Sequence, residues 1–236
     1  RTHSNSEMAE TAIKSLFDDT LPLDKLQLLA VGTTSPEQIL PSHAAMIHGE
    51  LGINKNIEIM SAAGACCSSM QAFKYAYMAI ASGMADVAAA CGSERFSAWT
   101  RASRFQPEAD TWQNMETNPY IAFEKDFLRW MLSDGAGASL LQPEPNKDGL
   151  SLKIEWLEIT SYANELESCM YAGAVKNEDA TLTGWNDMNA EEWDNNSVFS
   201  YKQDTRFLGD NIVPRGGMFI YDLMKKHNLT GDQIDY

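Results

Sequence analysis

The sequence predicts an α/β fold, with a parallel or mixed sheet carrying helices on both faces. Three observations predict it. Helix-like and strand-like patterns alternate through the first half of the chain, the strand-like runs are short and apolar as buried strands are, and glycine or proline punctuates nearly every change of pattern. At 236 residues the chain is long enough for one large domain or two modest ones. A hydrophobic share of 44% and a charged share of 22% are those of an ordinary globular protein, which excludes disordered and fibrous classes.

The elements follow in order. Met8 to Phe17 places apolar residues at helical spacing behind Ser6 as a cap, and Leu26 to Gly32 is an apolar run of strand length. Thr33-Thr34-Ser35-Pro36 breaks that strand, and Pro41-Ser42 opens a second helix ending near Leu51. Ile57 to Met60 is the next short strand. A helix follows from Cys66-Cys67-Ser68-Ser69 to about Ser82, where Gly83 ends it, with Met70, Phe73, Tyr77 and Ile80 on its apolar face. Asp86 to Cys91 is another buried strand. Phe96 to Trp130 is an irregular, aromatic-rich insertion, expected to serve as an interface, a local mini-core or a lid. Asp134-Gly-Ala-Gly-Ala138 leads into a strand at Ser139 to Leu141. Beyond it, Leu152 to Thr160 alternates as a strand with one wet face, Asn177 to Asn196 reads as an acidic surface loop anchored by Trp185 and Trp193, and a last helix spans roughly Gly216 to Lys226. The turn-rich stretch at 143–149 makes about residue 150 the best internal boundary, giving parts 1–149 (with the 96–130 insertion) and 150–236.

Charge and cysteine content narrow the function. A net charge of −15 disfavours nucleic acid and anionic membranes as partners, since both are held by clustered lysine and arginine. No apolar run reaches the length of a membrane span and no leader pattern opens the chain, so the cytoplasm is the expected location. The four cysteines, Cys66, Cys67, Cys91 and Cys169, are too few and too scattered for a disulfide framework and lack zinc-ligand spacing, so free thiols and no structural metal are expected.

Cys66 is the candidate site. It stands where a strand hands over to a helix through Ser61-Ala-Ala-Gly-Ala65, residues with almost no side chain, which let the backbone turn sharply and leave the thiol at a helix start. The unpaired N–H groups and dipole there favour a thiolate and can hold an oxyanion. The competing reading is two small cysteines buried in the core, where free cysteine is often found. The histidines offer no partner base: His3 is terminal, His43 and His48 diverge on one helix, and His227 sits at a helix end, so surface or packing roles are expected for each. Asp134-Gly-Ala-Gly-Ala138 lacks the phosphate-loop pattern, and no Gly-x-Ser-x-Gly elbow surrounds Thr33, Ser68 or Ser69.

Several of these motifs together carry a resemblance. Gly64-Ala-Cys-Cys-Ser-Ser-Met-Gln-Ala72, then Ile80-Ala-Ser-Gly83, then Asp86-Val-Ala-Ala-Ala-Cys-Gly-Ser-Glu94 resembles the active-site region of the thiolase superfamily. Thr33 to Pro41, the helix ending Glu50-Leu-Gly52, and Asp134-Gly-Ala-Gly-Ala138 look most like its β-ketoacyl-acyl-carrier-protein synthase III branch. The similarity covers most of residues 7 to 142, and the register puts the nucleophile at Cys66 and not Cys67. The resemblance implies a five-layered αβαβα sandwich of two related halves, truncated at both ends here, and a homodimer. It implies acyl transfer from a coenzyme A or acyl-carrier-protein thioester to Cys66, then decarboxylative Claisen condensation with a malonyl thioester in fatty-acid or related lipid synthesis, with no cofactor or metal. The alternatives are a degradative thiolase, a hydroxymethylglutaryl-type synthase, or a non-catalytic partner subunit. The superfamily's catalytic histidine and asparagine lie beyond the strand that Gln233-Ile-Asp-Tyr236 is expected to begin, so this chain is expected to lack both.

Overall fold

The computed structural model describes residues 3–101, 106–107, 120–147 and 149–235. The chain forms two compact units, one of residues up to Arg101 with Leu132–Asn164, the other of helix Tyr120–Met131 with residues 165–235.

The first unit is built on a four-stranded mixed sheet with strand order β2-β1-β3-β4, where β1 is Leu28–Thr33, β2 Glu58–Ala63, β3 Ala88–Arg95 and β4 Asp134–Leu141. β1 pairs in parallel with β2 and β3, while β3 pairs antiparallel with β4. Every residue of β1 is buried, as a continuous apolar run in the middle of a doubly covered sheet requires.

Side chains alternate between the two faces and so divide the core. Leu29, Val31, Ala89 and Cys91 pack with Ala9 and Ile13 of helix α1 (Asn5–Lys14) and with Ala44, Ile47 and Leu51 of helix α2 (His43–Leu51). On the other face Leu28, Ala30, Ala88 and Ala90 pack with Ala72, Ala76 and Ala79 of helix α3 (Ser68–Ala81), whose stripe of alanines brings that helix close to the sheet. The α/β class with helices on both faces therefore holds, and this unit supplies three layers.

Local chemistry sets the boundaries. Ser42 caps α2, accepting from the Ala45 N–H, and Gly52 ends it in the left-handed region at φ 70°, where glycine carries no Cβ penalty. α1 starts earlier than its apolar pattern suggests. Its cap is Ser4, in a reciprocal capping box with Glu7, whereas Ser6 is buried and donates to Glu50. β4 begins at Asp134, so the glycine-rich run lies inside the strand, supported by pairing with 88–95.

Four expectations for the second part meet a different structure. Residues 152–160 form no strand: alternation supplies a preference, and among the described residues no partner strand pairs with them. The acidic stretch is not one loop, since strand Ala174–Lys176 pairs with Leu182–Gly184 and Ala190–Asn195 is a short helix capped by Asn189. Its two indoles do form an anchor: Trp185 and Trp193 meet edge to face with centroids 6.0 Å apart, both against Phe199. The last helix runs from Thr205 to Lys226, capped by Asp204, with Pro214 inside it. Of the strand expected to begin at Gln233-Ile-Asp-Tyr236, Gln233 closes a turn from Gly231, residues 234–235 show no strand pairing among the described residues, and Tyr236 lies outside them.

Of the aromatic insertion, Phe96–Ala98 is a single turn and Tyr120–Met131 a helix, while residues 102–105 and 108–119 lie outside the described residues. No helix among the described residues is long and apolar enough to cross a membrane.

Candidate active site

β2 ends at Ala63, and the chain turns through Gly64, Ala65, Cys66 and Cys67 into α3. Gly64 sits at φ 139°, a conformation that disfavours side chains, so the small residue there is required by the turn. Ser68 N–H bonds to Ala65 O at 3.0 Å, and the Gln71 N–H closes onto Cys67 O at 3.0 Å. Cys67 is the cap residue of α3, but its side chain makes no capping bond. The first N–H groups of the helix consequently face the turn that holds the two thiols.

Both thiols are exposed. This overturns the reading of Cys66 and Cys67 as core residues. The core cysteine is Cys91, 2% exposed, whose burial pushes its thiol up to about 12.

Two glycines seat the helix. A Cβ on Gly32 of β1 would lie 2.3 Å from the Ser68 carbonyl carbon and 2.4 Å from the Ser69 nitrogen, and one on Gly92 of β3 would lie 2.7 Å from Ser69 Cβ. The start of α3 is thus pressed onto the sheet at the two positions where a side chain would hold it off. Cys66 inherits its place from that contact.

Beside this seat lies a cavity of about 470 Å³, within the range of small-molecule sites. Cys66, Ser69, Met70 and Phe73 line its helix side; Ala90, Gly92, Glu94, Gly135, Gly137 and Ser139 form the sheet side. The floor is nearly free of side-chain bulk, so an extended apolar group can lie along it. Glu94 is held rather than mobile. Its carboxylate accepts from the Thr34 N–H at 2.7 Å and from the Ser35 hydroxyl, and Asn5 beneath donates to Thr33 Oγ1 at 3.0 Å and to Ser35 O at 3.1 Å. These bonds fix residues 33–35, and Thr34 lies on the cavity wall.

His43 shares that buried network. It is 4% exposed, with Nε2 2.8 Å from Ser93 Oγ and Nδ1 3.7 Å from a Glu37 carboxylate oxygen. Burial lowers its pKa, against the opposing pull of Glu37 and Glu94. The unfolded chain therefore takes up this proton at a higher pH than the folded one does, so stability falls as pH drops through the ordinary value near 6.5. Urea midpoints at pH 7.5 and 5.5 check this: the loss on acidification will shrink in His43→Gln, and an unchanged loss counts against the assignment. His48, by contrast, is half-buried, with Nε2 3.1 Å from Lys55 O. Neither ring is placed beside Cys66 in the cavity lining. Among the described residues, no cluster of three or more His, Cys, Asp or Glu is arranged to hold a metal ion.

Sequence reasoning placed Cys66 at a strand-to-helix turn and picked out the glycine run at 134–138, and the structure has both there. It missed the glycine seat and the Glu94 clamp, both of which join residues about 23 to 60 positions apart and leave no local pattern.

Comparison with known proteins places the geometry in a family. The thiolase N-terminal domain profile matches residues 1–123. A β-ketoacyl-acyl-carrier-protein synthase III of Neisseria gonorrhoeae is 34% identical over 89 residues, an alignment covering 38% of this chain and 28% of that protein. Among solved structures, a tetronic acid condensing enzyme, AbyA1, superposes with a TM-score of 0.67 at 17% identity, over 99% of this chain and 61% of the other. A 3-oxoacyl-acyl-carrier-protein synthase III gives 0.62 at 13% identity, over 99% and 63%. The chain thus spans about three fifths of the solved proteins it resembles in fold.

Proposed function

This chain belongs to the thiolase family through its N-terminal domain, and on that premise we propose that it is the acyl-accepting part of a condensing enzyme of the synthase III type, with Cys66 as nucleophile. One observation carries the reading: an exposed thiol stands at the start of a 14-residue helix and on the wall of a cavity of about 470 Å³.

The chemistry follows from that placement. The Cys66 sulfur attacks the carbonyl carbon of an acyl thioester, and the carrier thiolate departs as the tetrahedral adduct collapses. N–H groups at the start of α3 stabilise the oxyanion, and the positive end of the helix favours the attacking anion. The acyl chain lies along the floor formed by Ala90, Gly92, Gly135 and Gly137. Because the product on the enzyme is again a thioester, the acyl group stays activated for attack by an enolate. In the decarboxylative reaction that enolate comes from a malonyl thioester as carbon dioxide leaves, and the new carbon–carbon bond releases Cys66.

Coenzyme A or acyl-carrier-protein thioesters are the proposed substrates, fatty-acid or related lipid synthesis the proposed setting, and a cytoplasmic homodimer the proposed form. Residues up to about 149 carry the acyl site, and those from 150 belong to the second half of the sandwich.

The discriminating experiment offers the acylated whole protein a malonyl-carrier or an acetyl thioester as second substrate. Carbon dioxide release with a ketoacyl product from the malonyl donor supports the proposal. Product from acetyl thioester alone would replace it with a degradative thiolase or hydroxymethylglutaryl-type synthase.

A further inference from the structure

Cys67 has no part in the chemistry above, yet it is as exposed as its neighbour. Two consecutive thiols therefore meet solvent on one turn, while the other two cysteines differ: Cys91 is sealed in the core with its thiol pushed up to about 12, and Cys169 is half-buried in the other compact unit. Oxidation follows exposure and thiolate character, so peroxide reaching this protein will act first at the Cys66–Cys67 turn.

We infer that Cys67 is the resolving thiol of a reversible oxidation site, converting peroxide damage at Cys66 into a vicinal disulfide. The first step is attack of the Cys66 thiolate on a hydroperoxide. A sulfur–oxygen bond forms, the oxygen–oxygen bond breaks, and water or an alcohol leaves, with Cys66 oxidised to the sulfenic acid. The Cys67 sulfur then attacks the Cys66 sulfur, the sulfur–sulfur bond forms, and the hydroxyl departs as water with the Cys67 proton. In sum, two thiols and one hydrogen peroxide give one disulfide and two waters. A low-molecular-weight thiol reverses the change by exchange.

Three features of the turn suit this role. The Cys67 side chain is not spent on capping α3. A Cβ on Gly64 would meet nothing within 4 Å, so the segment before the pair has open space in which to adjust. Consecutive Cα atoms stand about 3.8 Å apart, closer than the roughly 4.4–6.8 Å of ordinary disulfides. A ring closed between neighbours is therefore strained and easily reduced, which is the property of a regulatory disulfide and not of a structural one. The consequence is protection: Cys66 in the ring cannot take an acyl group, and it cannot be driven to the irreversible sulfinic and sulfonic acids.

The disulfide itself is read independently of the proposed acylation; only its effect, loss of acyl transfer, rests on that reading. The test treats the chain with a several-fold molar excess of hydrogen peroxide and follows the mass of the Cys66–Cys67 peptide, its mapping and its recovery with dithiothreitol. Wild type is expected to lose the mass of two hydrogens, with the bond mapped to Cys66–Cys67, and to recover its mass and any acylation on reduction. Cys67→Ser, expected to fold and to accept acyl groups as wild type does, should instead gain two or three oxygens at Cys66, resistant to the reductant. Oxygen addition in wild type matching that in Cys67→Ser overturns the inference. So does loss of two hydrogens in Cys67→Ser, which assigns the partner to a backbone nitrogen, or mapping of the bond to Cys169 or to a second chain.

Discussion

Replacing Cys66 with serine will reduce covalent acyl labelling of the chain to background while leaving its fold intact. Loss of a nucleophile costs acyl-transfer enzymes on the order of 10⁶ in rate, far below what intact-mass analysis detects in a single turnover. A serine hydroxyl at the same turn is close in size but a far weaker nucleophile than a thiolate at neutral pH, and His43 is engaged with Ser93 on the opposite face of the sheet. Stability should barely change, because the side chain is exposed, and exposed substitutions away from caps and strained backbone stay within about 0.5 kcal/mol. Retained circular dichroism and urea midpoint, together with absent label, are the expected pair of results. Label that persists in Cys66→Ser and disappears in Cys67→Ser would move the nucleophile by one residue.

A methyl group on Gly32, remote from any reacting atom, should have nearly as large an effect. The atoms it would strike, the carbonyl carbon and oxygen of Ser68 and the nitrogen of Ser69, are backbone. No rotamer change relieves the clash, so the start of α3 must retreat by about 1 Å, a displacement that alone costs roughly 10² in rate where geometry is decisive. Overpacking typically costs a further 1–3 kcal/mol of stability, by an order-of-magnitude scale. Gly32→Ala is thus expected to lower both the urea midpoint and the acylation rate. Gly49→Ala is the control. Its added Cβ meets nothing within 4 Å on an exposed site of α2, and alanine is the better helix former by about 1 kcal/mol. A Gly32→Ala protein indistinguishable from wild type in both measurements would contradict the tight seat.

The elements of the first unit were legible because their signals are local. Ser42 and Gly52 bracket α2, apolar Met70, Phe73, Tyr77 and Ile80 of α3 recur at helical spacing, and β1 is an apolar run up to Gly32. Legibility failed where pairing or packing overrides local preference. The start of the last helix was hidden by Gly209, Pro214, Gly216 and Gly217, residues that argue against a helix individually but here lie within one capped by Asp204. Residues 152–160 show the reverse, a strand-like pattern with no strand to pair with. At the site, Cys66 could be found because small residues and a thiol in sequence already describe a turn into a helix. The surroundings could not: Gly32, Ser69 and Gly92 meet only after the sheet has formed, and Glu94 reaches residues 34 and 35 across 60 and 59 positions. What the sequence displays locally is the thiol at a turn, while the residues packed around it are assembled by register.

Peptide mapping after the wild-type chain has been exposed to acyl-coenzyme A and acyl-carrier-protein thioesters of graded length probes the central claim most directly. The account predicts one acyl group per chain, attached to the Cys66 sulfur and released by hydroxylamine as a thioester should be. An acyl group found on Cys67, or no adduct from any donor in the series, would contradict it.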